Sequence, residues 1–245
     1  MNINKYNNIA PIYDELSDDF WGSKHQFLDI VFKSNNIKKN TLDLGCGTGI
    51  LLDFYENYIS YYVGVDHSDE MLRIASNNHP NSLFINDNIC AYFNNDIKFD
   101  VITSLFDTIN HLLDKKYWEL LFKNVSLMLN DNGFFVFDIC TINDLEENWP
   151  NYLNIIDNQE SYIISKGEYN VESKISTLSH TYFKKNNDNL YARKDDIIEH
   201  ISFDINEILE MLNSVGFNNI ETLDLDTKNP INQNTSVAVF ICKKS

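Results

Sequence analysis

Between Asn40 and Ile139 the chain alternates short apolar runs with stretches of helical period, and few folds accept that alternation. "TLDL" (Thr41–Leu44), "YYVGV" (Tyr61–Val65), "SLFIN" (Ser82–Asn86), "FDVITS" (Phe99–Ser104) and "GFFVFDI" (Gly133–Ile139) are apolar nearly throughout. Strands covered on both faces have this composition, because neither face meets water. Helices fit between them. In "DKKYWELLFKNVSLMLN", Tyr117, Leu121, Val125 and Met128 share one helical face behind an N-cap at Asp114. In "HSDEMLRIASNN", Ser68 is the N-cap, with Met71, Leu72 and Ala75 turned inward. A β-α-β-α order of this kind predicts parallel strands with helices on both faces.

After Ile139 the pattern changes. Ser161–Phe203 reads as antiparallel strands separated by turns at Gly167 and Asn186–Asn189, an insertion rather than another β-α unit. The main fold then resumes in "DINEILEMLNSVGF", which has a capping box (Asp204 with Glu207) and a glycine stop at Gly216. "NNIETLDL" and "TSVAVFICKK" are the expected closing strands. Ahead of the core lie a loop and a helix from about Trp21 to Asn35. The expected division is an N-terminal segment over residues 1–36, an α/β core over 37–140, an inserted helix and antiparallel segment over 141–203, and completion of the core over 204–245.

The length of 245 residues suits one elaborated domain, and a hydrophobic fraction of 43% supplies its core. The formal net charge of -17 repels a phosphate backbone, so nucleic acid is disfavoured as a partner and a small cationic or zwitterionic molecule is compatible. The four cysteines, Cys46, Cys90, Cys140 and Cys242, form no C-x-x-C pair and no cluster with zinc spacing. They are expected reduced and mostly buried, and no metal is expected. Met1–Ala10 is polar, and no apolar run approaches the ~20 residues of a membrane span, so the expectation is a soluble cytoplasmic protein without a membrane partner.

Gly45, Gly47 and Gly49 fall between an expected strand and an expected helix, the setting a nucleotide-type fingerprint requires. A dinucleotide fold has G-x-G-x-x-G, with a pyrophosphate on the helix N-terminus. Here the pattern is D-x-G-x-G-x-G, starting at Asp43, and it suits a ligand without phosphate that passes close over the loop. Asp66 ends the second strand about 20 residues on, where a carboxylate can accept both hydroxyls of a ribose. Asp87 follows the third strand, with Asn88 and Ile89 placed to meet an adenine ring. A nicotinamide-dependent oxidoreductase is the rival on a related sheet, and the glycine spacing and Asp87–Ile89 argue against it.

On these motifs the sequence resembles the class I S-adenosylmethionine-dependent methyltransferases over nearly its whole length. "LDLGCGTG" looks like their first motif, "VGVDHSDEML" like the segment after it and "FDVITSLFDTINHL" like the fourth-strand motif. "YNNIAPIYDELSDDFW" resembles the N-terminal lid of small-molecule members, including amino-sugar N-methyltransferases, and the inserted strands resemble the same branch. The resemblance implies an α/β, doubly wound, mainly parallel seven-stranded sheet with helices on both faces and an inserted antiparallel β segment. It implies S-adenosylmethionine as cofactor and in-line transfer of a methyl group to N or O of a small acceptor. Asp66 would hold the ribose, Asp87 the adenine amino group, and Ile89 the ring. Asp43, the Gly45–Gly49 loop with Cys46 and the backbone near Ser104 would hold the methionine part. His67 and Met71 would pack near the ribose or adenine, and Tyr6 and Tyr13 would close over the cofactor.

The acceptor side is less determined by sequence. His111, in "FDTINHLLD", is placed either to take a proton from the acceptor or to cap and pack, and Asp107 and Asn110 carry the same two readings. Tyr6, and Tyr182 and His200 in the insertion, are the other expected acceptor contacts. The acidic balance favours an amine. A tRNA-modifying enzyme with the same cofactor and a noncatalytic S-adenosylmethionine-binding protein are the alternatives.

Overall fold

The computed structural model describes residues 6–16, 25–33, 37–157, 161–185 and 190–244. A seven-stranded sheet forms its centre: β1 (Lys39–Leu44), β2 (Ile59–Asp66), β3 (Leu83–Asn86), β4 (Phe99–Ser104), β5 (Leu129–Cys140), β10 (Phe217–Asp224) and β11 (Val237–Lys244). The spatial order is β10-β11-β5-β4-β1-β2-β3. The pairs β3–β2, β2–β1, β1–β4 and β4–β5 are parallel, and β11 runs antiparallel to both of its neighbours. Chain order reverses between β1 and β4, so the crevice of an open α/β sheet opens at their carboxyl ends.

The strands are apolar on both sides because both sides are covered. Ile102, Phe135, Phe137 and Phe240 face one cluster, built with Trp118, Leu121, Phe122 and Val125 of helix α5 (Lys115–Met128) and with Ile208 and Leu212 of α6 (Ile205–Ser214). The alternate residues Val101, Val136, Val239 and Ile241 face the other, packed on Val31 and Phe32 of α2 (Asp29–Phe32) and Leu51, Leu52 and Tyr55 of α3 (Leu51–Tyr55). Asp114 caps α5 by accepting the Lys116 N–H at 3.0 Å, and Ser68 caps α4 (Asp69–Asn78) by accepting the Met71 N–H at 3.2 Å. Asp204 caps α6, while Glu207 holds Lys115 on α5 at 2.9 Å. The four cysteines are free and buried.

A separate antiparallel sheet, β6 (Leu153–Asp157), β7 (Ser161–Asn170), β8 (Ile175–Lys185) and β9 (Tyr191–His200), forms the insertion. Its first strand, β6, falls before the segment read as strands. The expected turn at Gly167 is instead the interior of β7, paired with Leu178. That glycine is there for a close approach: a Cβ would lie 2.1 Å from the Trp149 carbonyl oxygen. The chain turns four residues later, between Val171 and Lys174. Asn186–Asn189 lie outside the described residues. Of the helix expected from Trp21 to Asn35, the described part is a 3-10 turn at His25–Leu28 followed by α2. Trp21–Lys24 and residues 34–36 are outside it. Among the described residues, no helix is long and apolar enough to cross a membrane.

Candidate functional site

A cleft opens where β1, β2 and β4 end, and its floor is the glycine loop. Gly45, Gly47 and Gly49 all take positive φ, from +53° to +80° and +81°, conformations that side-chain-bearing residues rarely adopt. At Gly47 no described atom lies within 4 Å of where a Cβ would sit, so the backbone faces the cleft bare. A Cβ on Gly45 would lie 2.4 Å from Thr108 Cγ2, because the turn after β4 crosses just above it. Gly49 is off the cleft, packed on Ala75 and Phe84.

Asp66 is fixed by the loop it faces. One carboxylate oxygen accepts the Gly47 N–H at 2.9 Å and the other the Ser68 N–H at 2.8 Å. The His67 N–H adds a third bond to the carboxylate, which leaves about one of its four lone pairs for a ligand. Burial raises its pKa against these three stabilising bonds. Asp43, beneath the loop, accepts from Thr103 Oγ1 at 2.7 Å and from the Tyr62 hydroxyl at 2.9 Å, and burial pushes it up to about 6. His67, Met71, Asn88 and Ile89 complete this half of the wall, with Cys46 in the loop. Asp87 stands just outside the cleft, its carboxylate capping the Asn88 N–H at 2.7 Å. Ser104 is buried behind the wall, donating to the Leu44 carbonyl at 2.9 Å, and its neighbour Leu105 is the residue exposed to the cleft.

The other end is built by a strained turn. Phe106 and Asp107 have φ of +59° and +47°, left-handed values that cost about 1–3 kcal/mol each without glycine. Asp138 holds them there, its carboxylate accepting the Phe106 N–H at 2.8 Å and the Asp107 N–H at 2.9 Å. The turn places the Phe106 ring on the cleft and leads into the 3-10 helix Thr108–His111. His111 lines the cleft, with the Tyr6 hydroxyl 2.8 Å from its Nε2. Tyr13 packs edge-on to Tyr6 and Phe106.

Four expected acceptor contacts stand behind this wall. Asn110 is fully buried as a tie: its amide donates to the carbonyls of Cys140 at 3.0 Å and Ile201 at 2.8 Å, and its oxygen accepts the Cys140 N–H at 3.0 Å. Its side chain is consumed by backbone. Asp107 and His200 meet each other at 2.6 Å. Tyr182 packs with Ile9 and Ile163 against Tyr6, and its buried hydroxyl has no hydrogen-bond partner among the described residues. Asp138, Phe106 and Thr108 were not singled out from the sequence. The signal for Asp138 was present, a carboxylate inside the buried run "GFFVFDI", which requires partners.

Burial raises Asp43 and Asp107 to about 6 and Asp138 to about 7 from a usual 3.8. The folded chain then binds more protons than the unfolded one between those limits, so these groups make stability fall as pH rises through the window. Urea titration of the ligand-free protein at about pH 5 and pH 8 checks this. The expected midpoint is lower at the higher pH, with a smaller drop in Asp138→Asn.

The N-terminal segment spans the cleft. The Ser68 hydroxyl donates to Asn7 Oδ1 at 2.6 Å and Thr48 Oγ1 to Asp14 at 2.6 Å, on the glycine-loop side. Asn8 donates to both carboxylate oxygens of Asp196, at 3.0 and 2.9 Å, on the inserted sheet.

A family profile described as a methyltransferase domain matches residues 41–133, which hold the glycine loop, Asp66, Asp87 and His111. The Bacillus subtilis protein YqeM is 27% identical over 215 residues, 86% of each chain. A crystal structure of an S-adenosylmethionine-dependent methyltransferase from Clostridium acetobutylicum superposes with a TM-score of 0.84 at 24% identity, over 99% of this chain and 100% of that one. The sugar N-methyltransferase KedS8 from Streptoalloteichus superposes at 0.75 and 16% identity, over 94% and 92%.

Proposed function

We propose that the protein, whose fold is that of the class I methyltransferases and whose core matches a methyltransferase domain, is an enzyme with S-adenosylmethionine as methyl donor and a small molecule as acceptor, methylated on N or O. The observation that carries the reading is the cleft itself: a bare glycine loop, an Asp66 braced by backbone N–H groups, and His111 with Tyr6. The space a Cβ would fill at Gly47, and the remaining lone pair of Asp66, fit a ribose and an amino-acid chain lying over the loop. The donor supplies a methyl group already activated on a sulfonium.

The chain's part is alignment and exclusion of water, worth roughly 7–11 kcal/mol when reacting groups are held in line. Asp66 and the Gly47 backbone fix one partner, and Asn88 and Ile89 flank its far end. Asp43 lies below the loop as the anion for a cationic amino group. Tyr6, Tyr13 and Phe106 close the other end with rings. His111 Nε2 points to Tyr6 in the absence of acceptor and is the nearest group to accept a proton from an amine or hydroxyl there. An amine is favoured by the Asp107 carboxylate beside His111 and by the likeness to the sugar N-methyltransferase KedS8.

The test is incubation with methyl-labelled cofactor and separate panels of amines, amino sugars, carboxylates and phenols, alongside total RNA. Label moving to an amine or amino sugar supports the reading. Label moving only to RNA would replace it. The strap over the cleft adds a second expectation: amide exchange across Tyr6–Leu16 slows on adding S-adenosylhomocysteine. Equal protection with and without it would mean that the segment does not close on a ligand.

A further inference from the structure

Four rings from four separate segments stand in a column at the acceptor end. Tyr6 is edge-on to His111, with centroids 5.5 Å apart; His111 lies 4.2 Å from His200; His200 lies 4.6 Å from Trp149. The column is held from below. The Trp149 indole N–H donates to Asp144 at 3.1 Å, and His200, 2% exposed at the end of β9, reaches Asp107 at 2.6 Å through Nε2. Beside it, Asn110 ties Ile201 through both its backbone carbonyl and its side-chain amide. The inserted sheet therefore grips the turn that carries His111 at two adjacent residues.

We propose that His200, paired with Asp107 at 2.6 Å and backed by Trp149, is a positioning residue that fixes the ring of His111 toward the acceptor. This rests on the reading that His111 meets the acceptor. An imidazole–carboxylate pair with the His200 side chain 2% and the Asp107 side chain 30% exposed is a costly thing to place behind a wall, and a well-packed apolar pair would serve stability as well or better. What it adds is direction. The left-handed Asp107 backbone aims its carboxylate at His200, and Asp138 holds that backbone. With Asp107 fixed, the His200 ring has one orientation, and the face it offers to His111 is set. The link also joins the sheet that walls the acceptor side to the group that acts on the acceptor.

Asp107, His111 and His200 also offer three donor atoms close together, the composition of a divalent metal site. The spacing of His200 and Asp107 is shorter than a shared ion requires, and Zn²⁺ titration separates the two readings. Two donors on one ion at about 2.1 Å stand about 3.0–3.4 Å apart in octahedral or tetrahedral geometry. His200 Nε2 and Asp107 Oδ2 are at 2.6 Å, closer than two ligands of one ion stand.

The experiment needs no acceptor. The full chain, labelled with 15N-histidine and saturated with S-adenosylhomocysteine, is compared with His200→Phe, which keeps a ring and loses the donor, and with His200→Gln, which keeps a donor for Asp107. The imidazole nitrogen signals of His111 are assigned by their loss in His111→Gln. The expected result is one sharp His111 tautomer in the wild type, shifted and broadened signals in His200→Phe, and recovery toward wild type in His200→Gln, with S-adenosylhomocysteine affinity the same in all three. If His200→Phe does not fold, Asp107→Asn, whose side chain tolerates the left-handed backbone, takes its place. Unchanged His111 signals in folded His200→Phe, or equal disturbance by Phe and Gln, overturns the proposal. So does uptake of one equivalent of Zn²⁺ by the wild type that both His200 variants lose. Once an acceptor is found, turnover in His200→Phe falls about 10–100-fold, the scale of losing a residue that orients another. Failure of His111→Ala to affect turnover, with the His111 signals still responding to position 200, would refute the acceptor role alone and leave the positioning intact.

Discussion

Alanine at position 111 lowers turnover by about 100-fold or more and leaves cofactor affinity unchanged. The size is that of losing a general base placed within reach of the reacting group. The independence follows from the contacts, since the Asp66 carboxylate is bonded to Gly47 and Ser68 while His111 meets Tyr6. If His111 only orients the acceptor, the loss is smaller and appears partly in acceptor KM. If it only packs, between Tyr6 and His200, melting temperature falls while the folded fraction keeps its turnover. Steady-state kinetics with a melting curve separates the three. Full turnover at an unchanged melting temperature would leave alignment as the whole catalytic account.

Asp66→Ala weakens S-adenosylhomocysteine binding by roughly 1.5–3 kcal/mol, about 10–150-fold in Kd, the scale of hydrogen bonds lost from a charged group. Two effects add. The acceptor for the ribose hydroxyls is gone, and so is the brace on the loop, because Asp66 holds the Gly47 N–H and the Ser68 N–H. Asp66→Asn separates them. Its one remaining oxygen can keep one N–H, so its loss is intermediate and its melting temperature is closer to wild type. Calorimetry showing unchanged affinity in Asp66→Ala would remove the ribose assignment.

What could be read in the sequence were features that neighbouring residues determine. The glycines show in the spacing, Asp66 at the end of an apolar run, and the caps Ser68, Asp114 and Asp204 ahead of their helices. Each needs only local chemistry. The acceptor side was harder because its residues are defined by distant partners. Asn110 sits in the segment facing the reaction and has the chemistry of a substrate contact, yet its amide is spent on Cys140 and Ile201, 30 and 91 positions away. His200 looks like any strand-end histidine until Asp107 is brought to it. Gly167 reads as a turn because glycine most often marks one, and only the crossing Trp149 carbonyl shows why a strand interior needs it. Asp138 was legible as an anomaly, a charge in an apolar strand, but its role required knowing that two left-handed residues lean on it.

The central claim is that the cleft at the ends of β1, β2 and β4 is a donor site for methyl transfer. Calorimetric titration of the wild-type chain with S-adenosylhomocysteine, and separately with NAD, tests it most directly. The account predicts one saturable site for S-adenosylhomocysteine, no heat of binding with NAD, and loss of the site's affinity in Asp66→Ala. Binding of NAD with no response to S-adenosylhomocysteine would contradict it.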